Sequence, residues 1–246
     1  MAVSSQFDRL SVVLVSTRNP LNIGSAARAM SNFGFFDLRV VNPYEAAFRE
    51  AKSAVGASTL LARASEYYDL AEAVADCSLV VGTTAAGRRE LQHPLKPLDQ
   101  AAKLIRKHLQ QGRAAILFGS EKRGLSNEDF SHCHWLLRIP TREEHGSMNL
   151  GQAVAVCLYE MARFTEGSAG LKNKGASAPA SAGNQERVTT LLVEALQLSG
   201  YLDARSTAAS LEKSRRMIRR LDLSSADADL WLGMLRQMIW TMKGEE

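Results

Sequence analysis

Short apolar runs alternate with segments of helical periodicity from residue 1 to residue 165 of the chain. Unbroken runs rich in valine, leucine and isoleucine are typical of strands that are covered on both faces, as in parallel sheets. Such runs occupy residues 10–15, 38–41, 79–84, 114–118 and 136–139. Because helical patterns separate them, the sequence predicts an α/β fold whose mostly parallel sheet carries helices on both faces.

The last of these runs leads into a polar loop and then into a helix. The strand ends at Pro140, and the loop brings Gly146 and Ser147 to the start of the helix. We expect Ser147 to cap that helix, so that its first free backbone amides face a ligand bound in the loop. One face of the helix is apolar and predicted to be buried, through Leu150, Val154, Leu158 and Met161. An ordinary βα junction has the same pattern.

Two further loops follow predicted strands, and open α/β sheets bind ligands at the carboxyl ends of their strands. Residues 17–30 form a polar loop and a helix rich in small residues, which permits close packing against a strand or a second subunit. Alanine is also simply a good helix former. Gly119 and Gly124 enclose a carboxylate and two cations at 121–123, which are equally compatible with a solvated charged turn. Neither loop carries a dinucleotide fingerprint or a P-loop.

Composition divides the chain into three parts. Residues 1–165 are predicted to form the α/β domain, 166–185 a flexible linker of low complexity, and 186–246 a helical extension of three short helices. Like charges one turn apart on a helix cost stability, which favours an anionic partner for the middle helix. A solvated face balanced by Glu212 and Asp222 is the alternative. The cations concerned are Arg215, Arg216, Arg219 and Arg220.

Charge and cysteine content narrow the class of protein only slightly. A formal net charge of +4 permits a polyanionic partner without demanding one, and three cysteines predict a reducing compartment without disulfides. We expect a cytoplasmic protein without a membrane partner, because no window is long and apolar enough to cross a bilayer. We expect no metal site at the adjacent His132, Cys133 and His134, because alternate side chains of an extended segment diverge and no second ligand cluster exists.

Three loops, at 22–28, 119–125 and 139–150, resemble in order and spacing the signature motifs of the SPOUT superfamily, TrmH-type RNA 2′-O-ribose methyltransferases. The resemblance covers the first 165 residues. A basic helical extension after a linker is similar to the TrmJ branch of that family, which methylates tRNA in the anticodon loop. The resemblance implies a parallel α/β sheet whose last strand and helix form a C-terminal trefoil knot, which periodicity does not predict.

The resemblance also implies S-adenosylmethionine as the cofactor, bound in the knot mainly by backbone groups and without a metal. Glycine permits the close backbone approach that such binding needs. The implied cofactor-binding residues are Thr83, Thr84, Gly119, Ile139, Pro140, Ser147, Met148 and Leu150.

In the implied reaction, a ribose 2′-hydroxyl attacks the sulfonium methyl group while Arg28, from the second subunit of a homodimer, stabilises the developing alkoxide. A guanidinium is effectively always protonated, so binding of phosphate and alkoxide is favoured over a general-base role. Asn22 would orient Arg28 or the ribose, and Ser147 and Asn149 would line the reacting hydroxyl. Glu121 would face the sulfonium or fix its loop.

The implied substrate is tRNA, with nucleotide 32 of the anticodon loop as the target. Arg88 matches a substrate-contacting arginine of this branch, whereas Ala86 stands at a position where a further arginine would be expected. RNA binding would therefore depend more on the arginines of the extension. An rRNA 2′-O-methyltransferase of the same family and a catalytically silent, knotted RNA-binding module are the alternatives.

Overall fold

A computed structural model describes residues 6–44, 58–85, 92–142, 144, 146–163, 178–202 and 207–244 of the chain. The strands are β1 (Leu10–Val15), β2 (Asp37–Val41), β3 (Ser65–Tyr67), β4 (Leu79–Thr83), β5 (Leu95–Pro97), β6 (Ala114–Phe118) and β7 (Trp135–Arg138). They form a seven-stranded sheet in the order β3-β2-β1-β6-β4-β7-β5, and each neighbouring pair is parallel. The predicted parallel sheet is therefore confirmed.

The helices fall into two groups along the chain. The α/β domain contains α1 (Pro20–Phe33), α2 (Ser58–Ala62), α3 (Leu70–Ala73), α4 (Leu98–His108), α5 (Asn127–Ser131) and α6 (Leu150–Ala162). The extension contains α7 (Ala182–Leu198), α8 (Thr207–Arg220) and α9 (Ser225–Lys243). As the sequence predicts, Gly34 ends α1, in the left-handed conformation with a φ of 79°.

The sheet carries an apolar core on each face. Successive side chains of a strand point to opposite faces, so Val12 and Leu14 of β1 pack on one side while Val13 and Val15 pack on the other. Residues of α1, α4 and α6 belong to the first core, and residues of α3 and α5 belong to the second. Helices thus cover both faces, as the sequence predicts, while the trefoil knot stays a prediction.

Some element boundaries differ from the predicted ones. β3 and β5 have three residues each and are partly exposed, so their sequences lack a long apolar run. The helix predicted over 45–55 lies outside the described residues. α7 begins at Ala182, inside the segment 166–185 that is predicted to be a linker, because the Ser181 hydroxyl caps it by accepting a hydrogen bond from the Asn184 amide.

The extension packs against the α/β domain as well as on itself. The backbone amide of Ala182 donates to the carbonyl of Cys77 at 2.6 Å, and that of Gly183 donates to the carbonyl of Ala75 at 2.8 Å. A separate apolar cluster joins the three helices of the extension, through Val188, Ala195, Ile218, Leu232, Leu235 and Ile239. The extension therefore has a core of its own and a fixed contact with the sheet domain near the start of β4.

Arg215 and Arg219 are buried, although their spacing predicts an exposed basic surface. They are 6% and 2% exposed, respectively. Arg215 donates to the Glu186 carboxylate at 2.9 Å and to the Ser131 hydroxyl at 2.9 Å. Arg219 donates to the carbonyl of Ala182 at 3.3 Å. Both side chains are buried and hold α8 against neighbouring helices, and their contact with RNA stays a prediction.

The other two arginines of α8 stay accessible. Arg220 is exposed, and Arg216 is half-buried beside Glu212, with 3.4 Å between the guanidinium and the carboxylate. The cations of α8 that an anionic partner could reach are therefore these two arginines and the exposed Lys213.

Three properties of the described residues bear on the earlier expectations about membrane, disulfides and metal. No helix in the described part of the chain has the length and apolar character needed to cross a membrane. Cys77, Cys133 and Cys157 are buried and unpaired, and burial raises the pKa of the Cys77 thiol to about 12. Within the described residues, no group of three or more histidine, cysteine, aspartate and glutamate side chains is arranged to hold a metal ion.

Candidate active site

A cleft of about 480 Å³ opens where β4, β6 and β7 end. Because these strands are parallel, the loops that follow them meet at the same edge of the sheet. All three motif loops contribute to the cleft, although they are far apart in sequence. The predicted site residues in its wall are Asn22, Thr83, Thr84, Gly119, Glu121, Ile139, Ser147, Met148, Asn149 and Leu150.

The loop after β6 turns back on itself between two glycines. Gly124 has a φ of 65°, in the left-handed region that favours glycine. A Cβ atom on Gly119 would collide with the backbone of Gly124 and Leu125. The backbone amide of Gly124 donates to the carbonyl of Ser120 at 2.8 Å and closes the turn. Both glycines are therefore needed for the turn that carries Glu121 to the cleft.

Asn149, rather than Ser147, caps α6. The Oδ1 atom of Asn149 accepts hydrogen bonds from the backbone amides of Gly151 at 2.9 Å and Gln152 at 3.4 Å. The cap predicted at Ser147 is therefore wrong. Both residue types cap helices well, and the helix begins only at Leu150, whose side chain is buried. Ser147 remains exposed in the wall of the cleft.

A polar bridge formed by Glu121, Asn22 and Asn149 connects the three loops. The Asn22 amide nitrogen donates to the Glu121 carboxylate at 3.0 Å. The Asn149 amide nitrogen donates to the Asn22 amide oxygen at 2.8 Å. Because the Asn149 oxygen is occupied by the helix cap, the hydrogen bonds fix the orientation of both amides. The bridge thus orients three polar side chains at the cleft before any ligand binds.

Glu121 also binds the backbone that precedes α1. Its carboxylate accepts hydrogen bonds from the amides of Arg18 at 3.4 Å and Asn19 at 3.3 Å. Burial raises the pKa of this carboxyl, but the hydrogen bonds from Asn22 and from backbone amides outweigh burial and lower the pKa below its ordinary value. Glu121 is therefore ionised at neutral pH and contributes one negative charge to the cleft.

The floor of the cleft is apolar and includes residues that the sequence analysis did not single out. Leu125 and Phe130 line the cleft and are 1% and 4% exposed. Phe130 lies in α5, which starts at a capping box formed by Ser126 and Asp129. An aromatic residue in a short capped helix directly after the second motif loop is the signal that would have identified it. The cleft therefore combines an apolar floor with a polar rim.

Two predicted site residues of the α/β domain lie within the described part of the chain but outside the wall of the cleft. Arg28 is exposed on α1, six residues after Asn22, so it lies about 120° away around the helix. Of the described residues, Arg28 and Pro140 are the predicted site residues of the α/β domain that do not line the cleft. Arg88 lies outside the described residues, and its contact with RNA stays a prediction.

Residues 9–159 match the model of the SpoU rRNA Methylase family, and the chain belongs to that family. It is therefore an RNA methyltransferase, and the predicted family membership is confirmed.

The similarity to particular relatives also covers the helical extension. The chain is 34% identical over 237 residues to the tRNA (cytidine/uridine-2′-O-)-methyltransferase TrmJ of Sodalis glossinidius, with coverage of 95% of this chain and 92% of the relative. It is 34% identical over 241 residues to the tRNA (cytidine/uridine/adenosine-2′-O-)-methyltransferase TrmJ of Pseudomonas aeruginosa, covering 94% and 93%. The crystal structure of TrmJ from Z. mobilis matches with a TM-score of 0.79 at 31% identity, covering 93% of this chain and 98% of that chain.

Proposed function

We propose that the protein transfers the methyl group of S-adenosylmethionine to the ribose 2′-hydroxyl of nucleotide 32 in the anticodon loop of tRNA. The observation that carries the proposal is the bridge from Glu121 through Asn22 to Asn149, which orients polar groups of all three motif loops at one cleft. The relatives named as tRNA 2′-O-methyltransferases support tRNA as the substrate. A cytoplasmic location is part of this proposal.

The cleft fits S-adenosylmethionine in size and chemistry. Its apolar floor, with Leu125 and Phe130, suits an adenine ring, and its loops offer backbone donors and acceptors. The ionised Glu121 suits a positively charged sulfonium. When bound, the cofactor supplies the electrophilic methyl group. The proposed binding residues are Thr83, Thr84, Gly119, Ile139, Ser147, Met148 and Leu150, together with Pro140, which does not line the cleft. We propose that the loops carrying them belong to a trefoil knot.

The residues of this chain would then position the ribose and stabilise the charge that develops on its oxygen. A ribose hydroxyl is a very weak acid, so accurate placement and stabilisation of the developing alkoxide are the effective contributions. Asn22 and Asn149 are held in place by the bridge, and the exposed hydroxyl of Ser147 offers a hydrogen bond to the incoming ribose. Arg28 of the second subunit would supply the positive charge.

The surface around α1 and α6 supports a homodimer. The two helices pack side by side, and the rings of Phe33 and Tyr159 lie 6.0 Å apart. Leu21 is 76% exposed and Tyr159 53% exposed, and exposed apolar surface of this kind is typical of an interface. Arg28 lies on α1, like Leu21 and Phe33, and it does not line the cleft of its own chain. A twofold contact through these helices would let it act in the cleft of the partner.

The proposed RNA contacts are Arg88, Arg216 and Arg220. Burial, followed by the charges of Arg216 and Arg220, lowers the pKa of His93 to about 4. This effect of the two cations means that α8 lies close to His93 of the α/β domain. The arginines of the extension and of the α/β domain would then contact the same RNA.

The first test is incorporation of labelled methyl groups from S-adenosylmethionine into bulk tRNA by the full chain. We expect incorporation by the native protein and a loss of about a hundredfold or more in Arg28→Ala, because a transition-state charge contact is removed. Arg63→Ala, which removes an exposed arginine that does not line the cleft, is the matched control. No incorporation into any RNA would favour the silent binding module.

Mapping the methylated nucleotide separates tRNA from rRNA and identifies the position. A modified rRNA nucleotide, with tRNA untouched, would contradict the proposed substrate while leaving the enzyme class intact.

Mixing two inactive variants tests the homodimer. In a mixed dimer of Arg28→Ala and Glu121→Ala, one cleft has an intact Glu121 and receives an intact Arg28 from the other subunit. After random exchange, activity would recover to about a quarter of the native level, since half of the dimers are mixed and each has one intact site. No recovery, with subunit exchange verified, would contradict a shared site.

A further inference from the structure

A second cleft, of about 440 Å³, lies at the opposite end of the sheet from the candidate active site. The first residues of β4 and β7, Leu79 and Trp135, line it, whereas the candidate active site lies where these strands end. The other wall comes from α8 and the turn after it, so the cleft lies between the α/β domain and the extension. Its remaining lining residues are Pro94, Leu104, Lys107, His108, Gln111, His134, Arg219, Arg220 and Asp222.

His134 lies in the wall of this cleft and carries a buried donor. The residue is 8% exposed, and its Nδ1 atom accepts a hydrogen bond from the backbone amide of Val80 at 3.0 Å. Burial is the main cause that lowers the pKa of His134 to about 3, so the ring is neutral at physiological pH. A neutral imidazole whose Nδ1 accepts carries its proton on Nε2. That Nε2 atom is buried and has no hydrogen-bond partner in the described part of the chain.

Arg219 presents a second buried donor. Its side chain is 1% exposed, and its Nη1 atom donates to the carbonyl of Ala182. The Nε and Nη2 atoms have no hydrogen-bond acceptor among the described residues. Nη2 lies 3.7 Å from the Glu186 carboxylate, which is ion-pair distance but too long for a hydrogen bond. Buried donors are nearly always satisfied in proteins, so two residues with unsatisfied donors in the wall of one cleft indicate a missing acceptor.

The charges around the cleft are mostly positive, as a negatively charged acceptor would require. Glu186 is the acidic partner of both Arg215 and Arg219, so two buried guanidinium groups share one carboxylate. A buried charge without full compensation is costly, and an anion would supply the compensation. At the rim, the exposed Lys107 and Arg220 face a single carboxylate, Asp222, among the lining residues. The cleft is therefore net positive.

We propose that this second cleft binds a phosphate group. A phosphate offers several acceptor oxygens, which suits the fixed N–H of His134, the guanidinium of Arg219 and the ammonium of Lys107 together. The cleft is larger than an inorganic ion requires, and Leu79, Leu104 and Trp135 add apolar walls. A phosphate that belongs to a nucleotide therefore fits better than a bare ion. The source is either the backbone of a bound RNA or a free phosphate compound, and the two share this chemistry.

The experiment titrates inorganic phosphate into the full chain by calorimetry, with chloride at matched ionic strength as the reference. We expect saturable binding, and a rise in the thermal unfolding temperature with phosphate. Arg219→Gln would abolish binding, and Lys107→Gln would weaken it by about fivefold, the size of one exposed ion pair. Lys103→Gln removes the same charge one turn earlier on α4, outside the cleft, and should bind as the native protein does.

Lys107 is exposed, so its variant stays informative even where Arg219→Gln does not fold. Filter binding of tRNA to the Lys107→Gln and Lys103→Gln proteins then identifies the source. Weaker tRNA binding by Lys107→Gln alone, with phosphate competing for the native protein, assigns the site to the RNA backbone. Unchanged tRNA binding, with phosphate binding weakened, assigns it to a free phosphate compound. Phosphate binding that is absent, or equal in both lysine variants, would overturn the proposal, and neither readout depends on methyl transfer.

Discussion

Glu121 connects the loop after β6 to the start of α1 through hydrogen bonds from Arg18, Asn19 and Asn22. A carboxylate that accepts several hydrogen bonds is stabilised in its charged form, which is the reason for its lowered pKa. The same bonds hold Asn22 in position for Asn149. One side chain thereby combines a charge facing the cleft with a link between motif loops.

The stability contributed by Glu121 should depend on pH. Its pKa in the folded protein lies below the ordinary value of 4.5, so its contribution is fully present above about pH 4.5 and is lost as the pH falls through the folded value. We expect Glu121→Gln to be less stable than the native protein at pH 7, with the difference shrinking towards pH 3. Urea unfolding at several pH values measures this.

Glu128→Gln is the control for that series, since Glu128 is an exposed carboxylate in the first turn of α5. A pH dependence of equal size in the Glu128 and Glu121 variants would mean that the hydrogen bonds of Glu121 do not carry the effect.

Asn149 has two roles that substitutions can separate. Asn149→Ala removes both the cap of α6 and the hydrogen bond to Asn22. It should lower the free energy of unfolding by about 1 kcal/mol and also impair methyl transfer. Asn149→Asp keeps an acceptor for the cap but loses the donor to Asn22. We expect near-native stability with impaired methyl transfer, measured by chemical unfolding and label incorporation.

Native activity in Asn149→Asp would show that the bridge to Asn22 is not needed for the reaction. Equal loss of stability in both variants would show that capping requires more than an acceptor at this position.

Sequence patterns identified the site residues that lie in motif loops, and they were less informative about side chains that pair across the fold. Asn22, Glu121 and Asn149 stand in loops after strands, and the parallel sheet brings those loops together. Arg215 and Arg219 looked like a basic surface because periodicity shows spacing along one helix only. Their partner, Glu186, lies about 30 residues earlier on α7, and no local pattern reports that contact.

The contact between α1 and α6 depends on a residue without a side chain. A Cβ atom on Gly151 would lie 2.6 Å from the Cβ of Ser25, well inside van der Waals contact. The small residues of α1 were expected to permit close packing against a strand or a second subunit. In the structure, part of this surface packs against α6 of the same chain.

Gly151→Ala should therefore separate the two helices and destabilise the protein by about 1 to 3 kcal/mol, the usual cost of overpacking. Gly233 of α9 has no atom within 4 Å of an added Cβ, so Gly233→Ala should instead stabilise by about 0.5 to 1 kcal/mol. Combining Gly151→Ala with Ser25→Gly should recover part of the loss. Thermal and urea unfolding measure these proteins together with Ser25→Gly alone, and an additive effect in the double variant would contradict the contact.

Long apolar runs predicted β1, β2, β4, β6 and β7 within a residue or two, because buried central strands impose such runs. β3 and β5 are edge strands of three residues, and a run that short has no periodicity to detect. The start of α7 was placed too late because alanine, glycine and serine at 180–183 read as linker, whereas contacts with the α/β domain order them. Local composition could not report those contacts.

The extension is joined to the α/β domain by buried polar groups as well as by backbone hydrogen bonds. Arg215 connects Glu186 of α7 to Ser131 of α5, and the Arg215 side chain is 8% exposed. Burying a charged group is costly unless it is paired, so this junction depends on the carboxylate. The two parts of the molecule should consequently unfold together.

Glu186→Gln tests that dependence, because it leaves two buried guanidinium groups without a negative partner. We expect the free energy of unfolding to fall by about 2 to 3 kcal/mol. This is towards the lower end for a broken buried ion pair, since the Glu186 side chain is 21% exposed. Glu194→Gln on the same helix breaks the exposed pair with Lys243 and should cost less than about 1 kcal/mol. Limited proteolysis would show whether the weakened extension separates from the sheet domain before that domain unfolds. Equal and small losses of stability in both variants would mean that the backbone contacts at Ala182 and Gly183 hold the extension without the ion pair. The charges of Glu186, Arg215 and Arg219 beside the second cleft would then not be needed for the junction between the two parts.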